Sequence, residues 1–251
     1  METEGTPAPD FKDAIKANDA WWTTMFPARA ANLIVGLLAN TSVTPNQVTI
    51  ASTVAGLAAA ACLATGKWGW MALGAILVQF SFVLDCADGQ LARYKNQCSL
   101  SGAWLDTATD VIKNFAFFLG LTIGAVRISG SLTFWAWGFI AYFLSVGTMF
   151  LYATRPRELK SEYAEEDDAE IDSPVDSFYH RIKSNAFFLS FSVPDQLLLI
   201  SIGALLWIPG ITLIVLVLWG APVMVFSVVR TWFRVKKLES SRRYEEQGKL
   251  D

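Results

Sequence analysis

Apolar residues fall along the chain in six blocks, approximately 47–66, 69–91, 104–126, 132–153, 191–208 and 210–233. Each is long enough to cross a bilayer as a helix of about 20 residues. The pattern predicts an all-α integral membrane protein with six transmembrane helices. Ahead of the blocks, 11–40 mixes Trp21, Trp22, Phe26, Leu33, Ile34, Leu37 and Leu38 with Lys12, Lys16 and Arg29, as an amphipathic helix lying in the interface does. A seventh, short span is the alternative there, and Arg29 and Asn32 argue against it.

The polar stretches set the organisation: a cytosolic N-terminus with its interfacial helix at 1–40, a six-span domain at 41–238 and a cytosolic tail at 239–251. Within the domain, 155–185 carries Glu162, Glu165, Glu166, Asp167, Asp168, Glu170, Asp172 and Asp176 before turning basic at Arg181 and Lys183. With so little apolar area it is expected to be a solvated cytosolic loop, and His180, the only histidine, a solvated residue within it. The tail, with Lys236, Lys237, Arg242 and Arg243, reads as a helix end leaving the membrane near anionic headgroups. No internal repeat is evident.

Charge position supplies the orientation. Of the 20 Lys and Arg, Lys67 and Arg127 alone fall in the loops after the first and third blocks, and the other eighteen lie on the opposite side or in adjoining span ends. That bias puts both termini in the cytosol, which requires an even number of spans. The expected location is the cell (plasma or inner) membrane, multi-pass, with the active site toward the cytoplasm.

Composition supports lipid as the solvent. Of 251 residues, 53% are hydrophobic and 17% charged, the mean hydropathy is +0.37, and ten Trp and 17 Phe are present. The net charge of −3 and pI near 5.3 leave no basic field to gather nucleic acid, and none is expected as a partner. Cys62, Cys86 and Cys98 form no CxxC pair and read as packing residues. The N-terminus shows no basic region followed by an apolar one, so no cleaved signal is expected.

Within these apolar blocks stands an acidic pattern: Asp85-Cys-Ala-Asp88-Gly89-Gln-Leu-Ala92-Arg93 and, eight residues later, Gly102-Ala-Trp-Leu-Asp106-Thr-Ala-Thr-Asp110. On a helix Asp85 and Asp88 project about 60° apart and Asp106 and Asp110 about 40° apart, so each helix offers two carboxylates on one face. Antiparallel helices joined by a turn at 94–101 can bring the four together. Bare carboxylates at membrane depth are unfavourable, at about 2.5–3.5 kcal/mol for one Asp near mid-span. Divalent cations would neutralise them, and hard oxygen ligands suit Mg²⁺, Mn²⁺ or Ca²⁺. The competing explanation is that single aspartates cap helices or pair with Arg93, Lys95 and Lys113. Gly89 and Ala92 leave room for a ligand or for close helix packing.

The pattern D-x-x-D-G-x-x-A-R-x8-G-x3-D-x3-D resembles the signature of the CDP-alcohol phosphotransferases, and every fixed position is matched by Asp85, Asp88, Gly89, Ala92, Arg93, Gly102, Asp106 and Asp110. Thr44-Pro45-Asn46-Gln-Val-Thr49 is similar to the Pro-Asn-x-x-Thr that begins that family's first span. The resemblance implies a transferase in phospholipid biosynthesis. Two divalent cations, Mg²⁺ or Mn²⁺, would hold the diphosphate of a CDP-linked lipid donor while an alcohol attacks the phosphorus and CMP leaves. It further implies metal ligands at Asp85, Asp88, Asp106 and Asp110, with Asp110 also the general base. Donor contacts fall at Gly89, Ala92 and Arg93, joined by Asn46 and Thr49, and a homodimer is expected.

For the acceptor, Arg155 and Arg157 resemble a basic patch that holds a phosphorylated polyol such as inositol phosphate or glycerol phosphate; a positive-inside anchor is the alternative. Gln196 falls where those members carry another Arg, which leaves a neutral or amino alcohol (inositol, serine) open. A cation-coupled transporter is the competing class. It is disfavoured because neither an inverted repeat nor paired broken helices can be seen.

Overall fold

The computed structural model describes residues 27–154 and 191–247, and the secondary structure among them is helical. Seven helices follow in order among these residues: α1 (Pro27–Leu38), α2 (Pro45–Ala64), α3 (Trp68–Tyr94), α4 (Leu100–Ser129), α5 (Thr133–Ala153), α6 (Val193–Leu205) and α7 (Pro209–Gln247). Five of them, α2, α3, α4, α5 and α7, are long and apolar enough to cross a membrane.

The remaining predicted span behaves differently. The apolar block 191–208 contains α6, only 13 residues long, and at about 1.5 Å per residue such a helix falls short of a hydrocarbon core of about 30 Å. Local sequence closes it at both ends. The N-terminus is closed by Ser192, Pro194 and Asp195, where Asp195 Oδ2 accepts from both the Ser192 hydroxyl and the Ser192 N–H. At the other end Trp207 takes a left-handed backbone (φ +59°) before Pro209 opens α7.

Local sequence explains the other boundaries. At α2, Thr44 and Gln47 form a capping box in which the Thr44 N–H donates to Gln47 Oε1 at 3.0 Å and the Gln47 N–H donates to Thr44 Oγ1 at 3.4 Å. Pro45 occupies the first turn, where its missing N–H costs nothing. Helix α3 closes through Asn96, left-handed at φ +53°. Ser99 then caps α4, its Oγ accepting from the Gly102 N–H at 3.1 Å. The turn between α3 and α4 is thereby kept short and tight.

The chain divides into two compact units, one of Met1–Phe139 with Ser192–Leu213, the other of Ile140–Phe191 with Ile214–Asp251. In the first, α2, α3 and α4 pack together. Cross-links between α2 and α3 run from Ser52 Oγ to the Ser81 carbonyl at 2.9 Å and from Ser81 Oγ to the Ser52 carbonyl at 2.8 Å. Gln79 Nε2 ties α3 to α6 through the Leu197 carbonyl at 3.2 Å and Ser201 Oγ at 2.8 Å. Only part of the predicted interfacial segment 11–40 is described. There α1 turns Ala31 and Val35 into a core with Val48, Val83, Ala87 and Leu91, and leaves Leu33 and Leu37 exposed. In the second unit Phe191 meets Trp219 edge-on, ring centroids 5.2 Å apart.

Helix α4 approaches α2 through Gly120 and Gly124, one turn apart. A Cβ at Gly120 would lie 2.4 Å from the Ala60 carbonyl oxygen, and one at Gly124 would lie 2.5 Å from that of Leu63. Both neighbours are backbone and cannot swing away, so this is a small-residue contact of the kind that lets membrane helices touch. Gly120→Ala should therefore force α4 off α2 and cost about 1–3 kcal/mol. Thermal unfolding in detergent, read against an alanine substitution at the open Gly69, checks it.

Candidate active site

The two acidic pairs stand at the C-terminal end of α3 and the N-terminal end of α4, which the short turn brings side by side. One carboxylate oxygen each from Asp85, Asp88 and Asp106 lie within 4.8 Å of one another. Asp88 is buried at 4% exposure, and its Oδ2 has no hydrogen-bond donor among the described residues. An anionic oxygen so placed is costly unless a cation meets it. Three convergent hard oxygen ligands with one orphaned atom fit a divalent cation of the Mg²⁺ or Mn²⁺ kind.

Asp110 does not join that triad. Its Oδ1 accepts from Lys113 Nζ at 3.0 Å, one turn further along α4, and its side chain is 40% exposed. The same ammonium is bonded to Asp85 Oδ1 and donates to Ser52 Oγ at 3.1 Å. The site thus has two levels: Asp88 and Asp106 face an open cavity, while Asp85 and Asp110 are bridged by Lys113.

The cavity, about 170 Å³, is lined by Asn46 and Thr49 of α2, Gly89, Ala92 and Arg93 of α3, and the two aspartates Asp88 and Asp106. All five residues expected on the donor side therefore line the same cavity. Gln97, Cys98 and Ser99 of the turn, Gly102 and Ala103 of α4 and Pro45 of α2 also line it. Gly102 leaves little room, since a Cβ there would come within 3.0 Å of Ser99 Oγ and 3.2 Å of Asn46 Oδ1 and those side chains would have to give. At Gly89 a Cβ would meet only Arg93 Nη1, at 3.6 Å, so its missing side chain leaves open space. Thr49 Oγ1 donates to the Pro45 carbonyl at 3.2 Å, which anchors it within its own helix. Lys95 turns away from the acidic cluster and donates to the Thr41 and Val43 carbonyls at 2.8 and 2.9 Å.

Among the residues expected at an acceptor site, Arg155 and Arg157 lie outside the described residues, as do His180 and the acidic loop. Gln196 is buried on α6 at 1% exposure and is not one of the residues lining the cavity. The sequence reading missed the turn residues Gln97, Cys98 and Ser99, whose only signal was their position between the two acidic motifs. Lys113 appeared in it solely as one of three cations that could neutralise an aspartate.

The family model described as CDP-alcohol phosphatidyltransferase matches residues 42–227. A bifunctional IPC transferase and DIPP synthase of Aquifex aeolicus is 36% identical over 123 residues, covering 49% of this chain and 26% of that protein. An archaetidylinositol phosphate synthase of Aeropyrum pernix is 32% identical over 104 residues, 41% of this chain and 52% of that one. The chain thus spans no more than about half the length of these relatives. Among solved structures, the Mycobacterium tuberculosis phosphatidylinositol phosphate synthase with CDP-DAG bound superposes with a TM-score of 0.59 at 21% identity, over 81% of this chain and 94% of that one. The same enzyme in complex with manganese and citrate gives 0.58 at 21% identity, over 80% and 88%. At that identity the likeness establishes the fold, an all-helical membrane one.

Proposed function

Since the chain belongs to the CDP-alcohol phosphatidyltransferase family, we propose that it transfers a substituted phosphate group from a CDP-linked lipid to a small alcohol, releasing CMP. The observation that carries this reading is the meeting of Asp85, Asp88 and Asp106 within 4.8 Å beside a cavity walled by Asn46, Thr49, Gly89, Ala92 and Arg93. Divalent cations, Mg²⁺ or Mn²⁺, held by those aspartates would supply charge stabilisation for the diphosphate. The chain's own residues position and move the proton. Arg93 offers a charge-assisted contact to a phosphate oxygen. Small residues at Gly89 and Ala92 let the nucleotide approach α3. Asp110, more exposed than Asp85 and Asp88, takes the proton of the attacking hydroxyl as the new P–O bond forms and the bond to CMP breaks.

A phosphorylated polyol is the acceptor we favour, because the archaetidylinositol phosphate synthase and the phosphatidylinositol phosphate synthase are both named for an inositol phosphate product. Arg155 and Arg157 are proposed to hold its phosphate. The protein is proposed to work as a homodimer in the cell membrane, with its site toward the cytoplasm. Release of CMP from CDP-diacylglycerol with Mn²⁺ or Mg²⁺, across a panel of inositol phosphate, glycerol phosphate, inositol and serine, tests the reading. No CMP with any of them would overturn it. Within the panel, Arg155→Ala and Arg157→Ala should each raise the acceptor KM about ten- to a hundredfold, the worth of a charge-assisted hydrogen bond, with the donor KM unchanged. Acceptor kinetics untouched by both changes would instead favour a neutral or amino alcohol.

A further inference from the structure

Lys113 is buried at 5% exposure inside the helix bundle, an unusual place for a lysine. It reaches three side chains on three helices: Ser52 Oγ of α2 at 3.1 Å, Asp85 Oδ1 of α3 and Asp110 Oδ1 of α4 at 3.0 Å. The passage for its stem is shaped to fit. A Cβ at Gly56 would come within 3.1 Å of Lys113 Cγ and 3.3 Å of Cδ, and within 3.0 Å of Ser81 Oγ. Ser52 is itself fixed by its bond to the Ser81 carbonyl at 2.9 Å. The ammonium is therefore directed by the two outer helices as well as by its own, and it joins one aspartate of the triad to the aspartate left outside it.

We infer that Lys113 is a positioning residue for the transfer: by bridging Asp85 and Asp110 it sets the distance between the metal-binding triad and the proton-accepting carboxylate. The inference rests on the transferase reading above. Its physical basis is that reacting groups must be held within a fraction of an ångström, and displacement of about 1 Å can cost on the order of 10²-fold in rate. A second consequence is electrostatic. The fixed positive charge beside Asp85 opposes a divalent cation on the same cluster, so its removal should tighten metal binding even as turnover falls. A residue that merely held the helices together would not give that opposition of effects.

The test uses the full chain in detergent micelles, with Mn²⁺ itself as the probe, titrated by its electron paramagnetic resonance signal. Lys113→Met, close in length and uncharged, should bind Mn²⁺ about threefold or more tighter than wild type, with kcat down on the order of 10²-fold and the donor KM within about threefold. Asp106→Asn is the contrast and should lose Mn²⁺ binding and turnover together. Lys113→Arg keeps the charge and should recover part of kcat. A Lys113→Met protein turning over like wild type, or losing Mn²⁺ as Asp106→Asn does, overturns the inference. Should Lys113→Met not fold, Gly56→Ala decides, since it moves the stem without changing charge: a severalfold lower kcat with Mn²⁺ binding retained supports the bridge, and an unchanged kcat overturns it. If wild type itself releases no CMP, the transferase reading falls separately. The Mn²⁺ titration then stands alone: tighter binding by Lys113→Met supports the bridge to the metal cluster, and unchanged binding overturns it.

Discussion

Asp88→Asn is expected to remove turnover on the order of 10²–10³-fold, as losing one preorganised electrostatic stabiliser does, and EDTA should bring the wild-type protein to the same background. Stability makes the expectation specific. Asp88 Oδ2 is buried without a donor among the described residues, so in the absence of metal the amide should be as stable as the carboxylate or more so. Asp85 differs, because its Oδ1 is bonded to the buried Lys113; breaking a buried ion pair by removing one partner is destabilising, so Asp85→Asn should lower the metal-free Tm. Mn²⁺ should stabilise wild type by about 2.7 kcal/mol at a hundredfold excess over Kd, seen as a higher Tm, and Asp88→Asn should lose that gain. Calorimetry of both variants with and without Mn²⁺, alongside CMP release, reads all of this. Full activity after EDTA treatment would remove the metal-dependent scheme.

The contrast between these two aspartates was not visible in the linear pattern. Helical angles put Asp106 and Asp110 on one face, about 40° apart, but angle says nothing of depth. Four residues at about 1.5 Å each place Asp110 roughly 6 Å further along α4. Because α3 runs the other way, Asp85 recedes from the turn as Asp110 does, and Asp88 and Asp106 remain beside the cavity. Spacing alone therefore gathered four carboxylates, where the structure separates a triad from a paired outlier. Lys113 had a readable signal, an i,i+3 relation to Asp110 inside the apolar run Val111-Ile112-Lys113-Asn114-Phe115. A cation there must either face a partner or pay for its absence in hydrocarbon. Which carboxylates it meets depends on α2 and α3, and no local rule supplies that.

The part of the cavity lining that comes from α2 and α3 was legible for the opposite reason. Asn46 and Thr49 sit at the start of α2, and the capping box of Thr44 and Gln47 specifies that start from four consecutive residues. Gly89, Ala92 and Arg93 follow Asp88 on the same turns of α3. Only the meeting of α2 with the end of α3 is tertiary. Hydropathy was least informative at 191–208, where a block apolar on average holds a 13-residue helix bounded by Ser192 and Trp207. The polar cap at Ser192 and Asp195 was present in the sequence, but an average over about twenty positions dilutes two residues.

Asp110→Asn should lower kcat about 10²- to 10⁴-fold, the range for loss of a general base, while leaving Mn²⁺ binding close to wild type. The second half of that expectation follows from geometry, since Asp110 stands outside the 4.8 Å triad and spends its Oδ1 on Lys113. An asparagine still offers an oxygen to the Lys113 ammonium, so the bridge to Asp85 is weakened and not abolished, and the fold should persist. What the amide cannot do is accept a proton from the attacking hydroxyl. Deprotonation then falls to hydroxide, and the residual rate should climb with pH more steeply than that of wild type. The measurement is CMP release across pH together with Mn²⁺ titration of the same preparation. If Asp110 serves as a metal ligand instead, Mn²⁺ affinity will fall along with kcat and excess Mn²⁺ will recover turnover. If it serves only as the counter-ion of Lys113, the variant will lose Tm while its Mn²⁺-loaded form turns over normally. Intact metal binding, slow chemistry and a steepened pH profile are the combination that a proton acceptor alone produces.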